Sequence, residues 1–514
     1  MYKATNFRFL VFFLLVVFFS VSFADVKLPT IFSDNMVLQQ NQKLPIWGKA
    51  SPGEKIMIGF GIYSNVWGAI ADNDGKWKTE IGPFNASFTP QGLTIKANNT
   101  IEIKNVLVGE VWLASGQSNM QMAVVGVKNA EQEMENADNY PNIRLCTVYN
   151  VNADTPQDDF AGHWKQCDNE SVKHFSATCY FFGKELYEKL NVPVGLINSS
   201  WGGTPAEAWT PADAMEGDCD FKWTYDRFDR LMASMPEKIK KWQEQVKKWK
   251  ADKAAGKKVS HEPWKPAGER NKPSVLYNAM IHPLIPFRIA GAIWYQGESN
   301  TAYAWHHEKL FKTLITSWRR HWGQGNFPFY FVQLANYTPV KPDPGESTWA
   351  ELRETQLKTL ENIPNTGMAV TIDIGEAGDI HPKNKQDVGK RLSLWALANN
   401  YDQDIVYSGP IFKSIKIKND KASLRFDHAG SGLAAKDDQT LKGFAVAGVD
   451  KKFVWAEAKI VGNKVIVKSD KVKTPVAVRY GWAHNPVCNL YNKEGLPASP
   501  FRTDDWPGLT HKKK

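Results

Sequence analysis

The stretch Val106-Leu107-Val108-Gly109-Glu110-Val111-Trp112-Leu113-Ala114-Ser115-Gly116-Gln117-Ser118-Asn119-Met120 decides the fold. Its first nine residues are almost wholly apolar and rich in β-branched types, the composition of a buried strand, and a glycine-containing turn follows at once. Comparable apolar runs at residues 194–198, 289–295, 329–334 and 368–374 alternate with helical stretches. Strands alternating with helices predict a parallel sheet covered on both faces, so residues 107–405 read as an α/β unit. Open sheets of this class build their sites at the carboxyl ends of their strands, and Ser118 stands just past one.

Outward from this unit the pattern changes. Residues 25–106 consist of short apolar runs separated by Gly, Pro, Asn and Asp, as in Leu44-Pro45-Ile46-Trp47-Gly48 and Asp72-Asn73-Asp74-Gly75-Lys76-Trp77, and predict a small β-sandwich-like module. Residues 406–514 predict a second β module, with strands at 411–417, 442–446, 456–460, 464–468 and 475–480. Within the α/β unit, about residues 211–272 form a charged, Trp-rich insertion. Met232, Met235, Ile239, Trp242, Val246 and Trp249 recur there at three- and four-residue intervals, which predicts one amphipathic helix over 232–249 with a solvated lysine face.

The ends and the composition set further bounds. Lys3 and Arg8, an apolar run from Phe9 to Val21, and Ser22-Phe23-Ala24 have the order of a secretory signal, with cleavage after Ala24 and export to a periplasmic or extracellular space. The run is too short to span a membrane, which takes about 20 apolar residues, and no later stretch qualifies. The formal charge of +9 concentrates in the insertion, and with no reading motif beside it a nucleic-acid partner is not expected. Five cysteines in 514 residues are no disulfide scaffold. They match no zinc spacing, and Cys167 with Cys179 is the pair to test for a bridge.

A serine hydroxyl needs a base to become a nucleophile. His381 is the candidate: it lies in Asp373-Ile374-Gly375-Glu376-Ala377-Gly378-Asp379-Ile380-His381-Pro382, a loop leaving the last predicted strand, with Asp379 two residues before it. A carboxylate beside one imidazole nitrogen would fix the tautomer in which the other accepts the serine proton. Acyl transfer also needs donors aimed at a developing oxyanion. Two more strand exits carry suitable glycines and amides: Asn198-Ser199-Ser200-Trp201-Gly202-Gly203-Thr204 and Trp294-Tyr295-Gln296-Gly297-Glu298-Ser299-Asn300.

Gly116-Gln117-Ser118-Asn119-Met120, the Trp294 to Asn300 block and Asp379-Ile380-His381-Pro382 resemble the signature blocks of the sialate O-acetylesterase family within the SGNH hydrolase superfamily. The likeness runs from Ile31-Phe32-Ser33-Asp34-Asn35-Met36-Val37-Leu38-Gln39 to Asn489-Leu490-Tyr491-Asn492. It implies a flavodoxin-like three-layer α/β/α catalytic domain flanked by small all-β modules, and an exported serine esterase that needs no cofactor or metal. The substrate implied is an acetylated sugar, 9-O-acetylated sialic acid first. Ser118 would be the nucleophile, His381 the base, and Gly203 with the Ser118 amide part of the oxyanion hole; Gln117, Trp201 and Glu298 are expected to touch the sugar.

Two positions depart from the superfamily pattern. Asn300 lies three residues after Gly297 rather than two, so either Gln296 or Asn300 is the amide donor. Gly378 occupies the usual place of the acid, three before the histidine, leaving Asp379, Glu298, Glu376 or a backbone carbonyl to support His381. An acetylxylan or other plant-polysaccharide esterase is the alternative enzyme, and a catalytically silent glycan-binding protein the alternative of another class. Trp201, Trp209 and Trp294 are candidate stacking platforms for sugar rings.

Overall fold

A computed structural model describes residues 25–62, 65–260 and 262–511; the predicted secretory signal lies outside them. The central sheet is built from seven strands, β1 (Thr100–Gly116), β2 (Ile143–Val148), β3 (Gly162–Gln166), β4 (Val194–Ser200), β5 (Gly291–Tyr295), β6 (Phe329–Val332) and β7 (Thr366–Ala369), in the spatial order β7-β6-β5-β1-β4-β2-β3. All neighbours are parallel except the edge hairpin β2–β3. With that hairpin set aside, the remaining strands run 2-1-3-4-5 in chain order. The order reverses at β1, which opens a crevice there between the exits of β1, β4 and β5.

Alternation along each strand sorts the core into two faces. Trp112, Ala114, Ile293, Tyr295, Tyr330 and Val332 pack with Phe181 and Phe182 of helix Ala177–Leu190 and with Leu392 and Trp395 of helix Lys385–Asn399. Val111, Leu113, Ala292, Trp294, Phe329 and Phe331 point the other way, onto Leu310, Phe311, Leu314 and Trp318 of helix Ala304–Trp322. Because both faces are buried, each strand reads as a continuous apolar run rather than an alternating one.

β1 is longer than predicted. Thr100-Ile101-Glu102-Ile103-Lys104-Asn105 extends it backward, pairing antiparallel with Ser87–Lys96, while Val37–Gln39 lies parallel to Leu107-Val108-Gly109. One 17-residue strand therefore pairs with N-terminal strands at its start and belongs to the central sheet at its end. The C-terminal residues form two four-stranded antiparallel sheets and a two-stranded one, including a strand Lys421–Asp427 that was not expected.

The insertion differs from expectation too. Instead of one helix over 232–249 there are two, Lys222–Ala233 and Met235–Ala254, meeting at Ser234. Pro236 explains the break: it has no N–H for a continuing helix but suits a first turn. All five cysteines are free, and Cys167 and Cys179 are buried in one core cluster without a bridge. Among the described residues no helix is long and apolar enough to cross a membrane.

Candidate active site

β1 ends at Gly116 with φ of 134°, a backbone that favours glycine; a Cβ there would stand 2.3 Å from the Tyr295 carbonyl oxygen on β5. The chain then turns into a single helical turn, Ser118–Gln121. Ser118 heads that turn, and among the described residues its N–H has no acceptor, as the first amides of a helix do not. The Gly203 amide is likewise without one. Its neighbour Gly202 donates to Gln121 Oε1 at 2.8 Å, and a Cβ on Gly202 would come 3.2 Å from Ser118 Cβ, so the β4 exit lies directly against the serine.

The structure brings His381 across from the β7 exit, with Nε2 2.8 Å from Ser118 Oγ. Burial lowers the imidazole pKa below its usual value; Asp379 works against this and Lys385 adds to it. The ring is thus held toward the neutral form that accepts a proton. Asp379 Oδ1 stands 3.7 Å from His381 Nδ1, an ion-pair distance but too long for a hydrogen bond, and the same oxygen accepts the backbone N–H of His381 at 2.8 Å. Asp379 therefore shapes the turn presenting the histidine and biases its charge. The other acids considered are turned elsewhere: Glu376 accepts the Lys383 amide at 2.9 Å, and Glu298 accepts from Asn119 at 2.5 Å.

Asn119, which the sequence did not single out, joins three loops. Its Nδ2 donates to Glu298 Oε1 and, at 3.0 Å, to the carbonyl of Ile380, the residue before the histidine; its Oδ1 accepts from Lys385 Nζ at 2.6 Å. Lys385 is fully buried, and burial pulls its pKa down to about 7 against the opposing pull of Glu298, Asp379 and Glu376. Burial pushes the Glu298 carboxyl up. Glu298 is thus part of the support beneath the serine turn. Gln117 accepts the Ser299 amide at 3.3 Å and is itself buried, tying the β1 and β5 exits together.

The two candidate amide donors do not reach the serine. Asn300 is fully buried; its Nδ2 donates to Glu207 Oε2 at 2.9 Å, while its Oδ1 accepts from Gln296 Nε2 at 2.6 Å and from the Ala206 amide at 3.0 Å. Gln296, also fully buried, spends its donor on Asn300 and on Thr204 O. Glu207 is held in turn by Arg227 at 2.7 Å. These amides brace the β4 and β5 exits against each other, and the buried carboxylate that turns them is 93 residues from Asn300 in sequence, outside any local motif.

Of the tryptophans, Trp209 and Trp294 are buried core residues, packed edge to face. Of the three candidate platforms only Trp201 is partly open, its backbone N–H donating to Gly116 O at 3.0 Å and the Arg270 guanidinium lying over its ring at 5.4 Å. Burial lowers the Arg270 pKa. No residue type or spacing in the insertion had marked this arginine.

A serine and a histidine in hydrogen-bond contact at the carboxyl edge of a parallel sheet have the layout of a serine esterase. A family model described as carbohydrate esterase, sialic acid-specific acetylesterase, matches residues 108–397. The chain is 31% identical over 527 residues to the sialate O-acetylesterase of Homo sapiens, covering 93% of this chain and 92% of that protein. It is 33% identical over 471 residues to that of Rattus norvegicus, with 85% and 84% covered. A crystal structure of a carbohydrate acetylesterase from Xanthomonas citri superposes with a TM-score of 0.80 at 37% identity, over 94% of this chain and 100% of that one. The chain belongs to the carbohydrate esterase family of sialic acid-specific acetylesterases.

Proposed function

We propose that the protein is an exported serine esterase that removes O-acetyl groups from sialic acid, the 9-O-acetyl ester first, through an acyl-serine intermediate. The observation that carries this reading is the 2.8 Å contact between His381 Nε2 and Ser118 Oγ. His381 takes the Ser118 proton as Oγ bonds the acetyl carbonyl carbon. The resulting oxyanion is met by the unclaimed amides of Ser118 and Gly203. Collapse breaks the bond to the sugar oxygen, which leaves with the proton from His381. Water then attacks acetyl-Ser118, giving its proton to the same imidazole, and acetate departs as the proton returns to Ser118.

The catalytic unit, residues 107–405, is read as a flavodoxin-like three-layer SGNH hydrolase domain flanked by β modules at 25–106 and 406–514. The 2-1-3-4-5 order of its principal strands and the helices against alternate side chains support this reading. Lys3, Arg8 and the apolar run ending in Ala24 support export.

The test is acetate release from 9-O-acetylated sialic acid and from acetylated xylan, by the wild type and by Ser118→Ala. Release from the sialic acid ester that disappears in the variant is expected. Release from xylan alone would keep the serine and move the substrate to plant glycans, and release from neither would favour a silent glycan-binding protein.

A further inference from the structure

Among the described residues, buried and half-buried arginines find hydrogen-bond acceptors, with one exception; even Arg144, whose Nε has no partner, donates through Nη1 and Nη2 to Asn35 and Asn105. Arg227, Arg391, Arg479 and Arg502 hold the carboxylates of Glu207, Asp373, Asp504 and Glu354, while Arg319 and Arg353 donate to clusters of backbone carbonyls. Arg270 is partly buried, its Nε is shut off from water with no hydrogen-bond partner, and among the described residues no carboxylate pairs with it. An unpaired charge drawn out of water costs free energy that a counter-charge offsets, so such a group is suited to receive an anion.

Its position gives the receptor a purpose. The guanidinium lies over the Trp201 ring, 5.4 Å from its centroid, and a Cβ on Gly203 would stand 3.4 Å from Arg270 Nη2. Gly203 offers one of the two unclaimed amides, and the adjoining Gly202 touches Ser118. A planar fork held beside the acyl-transfer centre matches a carboxylate, which takes two parallel N–H bonds from a guanidinium. Resting on the esterase reading above, we infer that Arg270 receives the carboxylate of the acetylated acidic sugar and selects it over neutral acetylated sugars. The insertion thereby contributes a specificity residue to a site otherwise built from strand exits.

The test compares kcat/KM for 9-O-acetylated sialic acid and for its methyl ester, in which the carboxylate is neutral, using the full chain. Wild type should favour the free acid by about tenfold or more, the size of a lost charge-assisted hydrogen bond. In Arg270→Gln the ratio should fall toward one, and Arg270→Lys, which keeps the charge without the fork, should retain part of it. Thermal unfolding checks that each variant is folded. If Arg270→Gln is not, the wild-type ratio and the lysine variant still decide. Equal rates on acid and ester in the wild type, or a ratio unchanged in Arg270→Gln, would overturn the inference while leaving the esterase reading intact. Failure to cleave either compound would remove both.

Discussion

At the scale of single residues, the chemistry rests on a short contact and a long one. Ser118 Oγ to His381 Nε2 at 2.8 Å allows direct proton transfer, whereas Asp379 at 3.7 Å from Nδ1 gives charge without a hydrogen bond. Ser118→Ala and His381→Ala should each lower kcat by at least about a thousandfold. Asp379→Asn should cost far less, on the order of tenfold, because no hydrogen bond to the ring is lost. Its effect on pH dependence is the sharper check. With His381 as the base of the proposed mechanism, activity needs its neutral form, whose pKa is already lowered by burial, so the acid limb should fall below the usual imidazole value of about 6.5. Asp379 raises that pKa, and its neutralisation should move the limb lower still; a shift upward in the kcat profile would contradict the assignment.

Lys385 gives a second check. Its folded pKa of about 7 lies below the ordinary lysine value, so between the two the unfolded chain binds more protons and this group's contribution to stability rises with pH. That rise should be absent in Lys385→Met, as seen by comparing melting temperatures of both proteins at neutral pH and at about pH 9 to 10. The pair Ser118 and His381 was legible because each follows a recognisable strand. Lys385 and Asn119 were not, since their roles arise only where loops more than 200 residues apart meet.

At the scale of elements, the strand exits and the insertion behave differently. Gly116→Ala should impair both folding and activity, since a Cβ would press on the Tyr295 carbonyl in a backbone conformation strained by about 1–3 kcal/mol for a non-glycine residue. Helix Met235–Ala254 buries little but Met235, and its Trp242 and Trp249 indoles donate to the carbonyls of Pro263 and Ser260, within the insertion itself. Replacing residues 238–264 by a short Gly-Ser loop should therefore leave kcat/KM on a small aryl acetate within about threefold, as for other surface changes. Loss of that activity in a folded deletant would place the helix in the site. The apolar period of Met232 to Trp249 shows the helical conformation but runs on through the break, which Pro236, not the period, marks.

At the scale of the whole molecule, the small β-sheets are fastened to the central one by shared backbone and buried charge. β1 runs unbroken from its pairing with the N-terminal strands to the turn that carries Ser118. The C-terminal residues are latched to helix Thr348–Asn362: fully buried Arg353 donates to the carbonyls of Ala483 and His484 as well as Leu334 and Ala335, and Glu351 accepts the amides of Leu509 and Thr510. Arg353→Met would strand several buried acceptors and should destabilise the protein by about 3 kcal/mol or more. The turn spacing pointed to β-strands on both sides of the central sheet but carried no sign of this latch, whose partners lie 130 or more residues away.

An acyl-serine mechanism makes one demand more direct than any rate. Acid quenching during turnover of 9-O-acetylated sialic acid, followed by digestion and mass spectrometry, should find the peptide containing Ser118 heavier by one acetyl group, and should find no such species in His381→Ala. Rapid acetate release with the Ser118 peptide unmodified, or release undiminished in Ser118→Ala, would contradict the central claim.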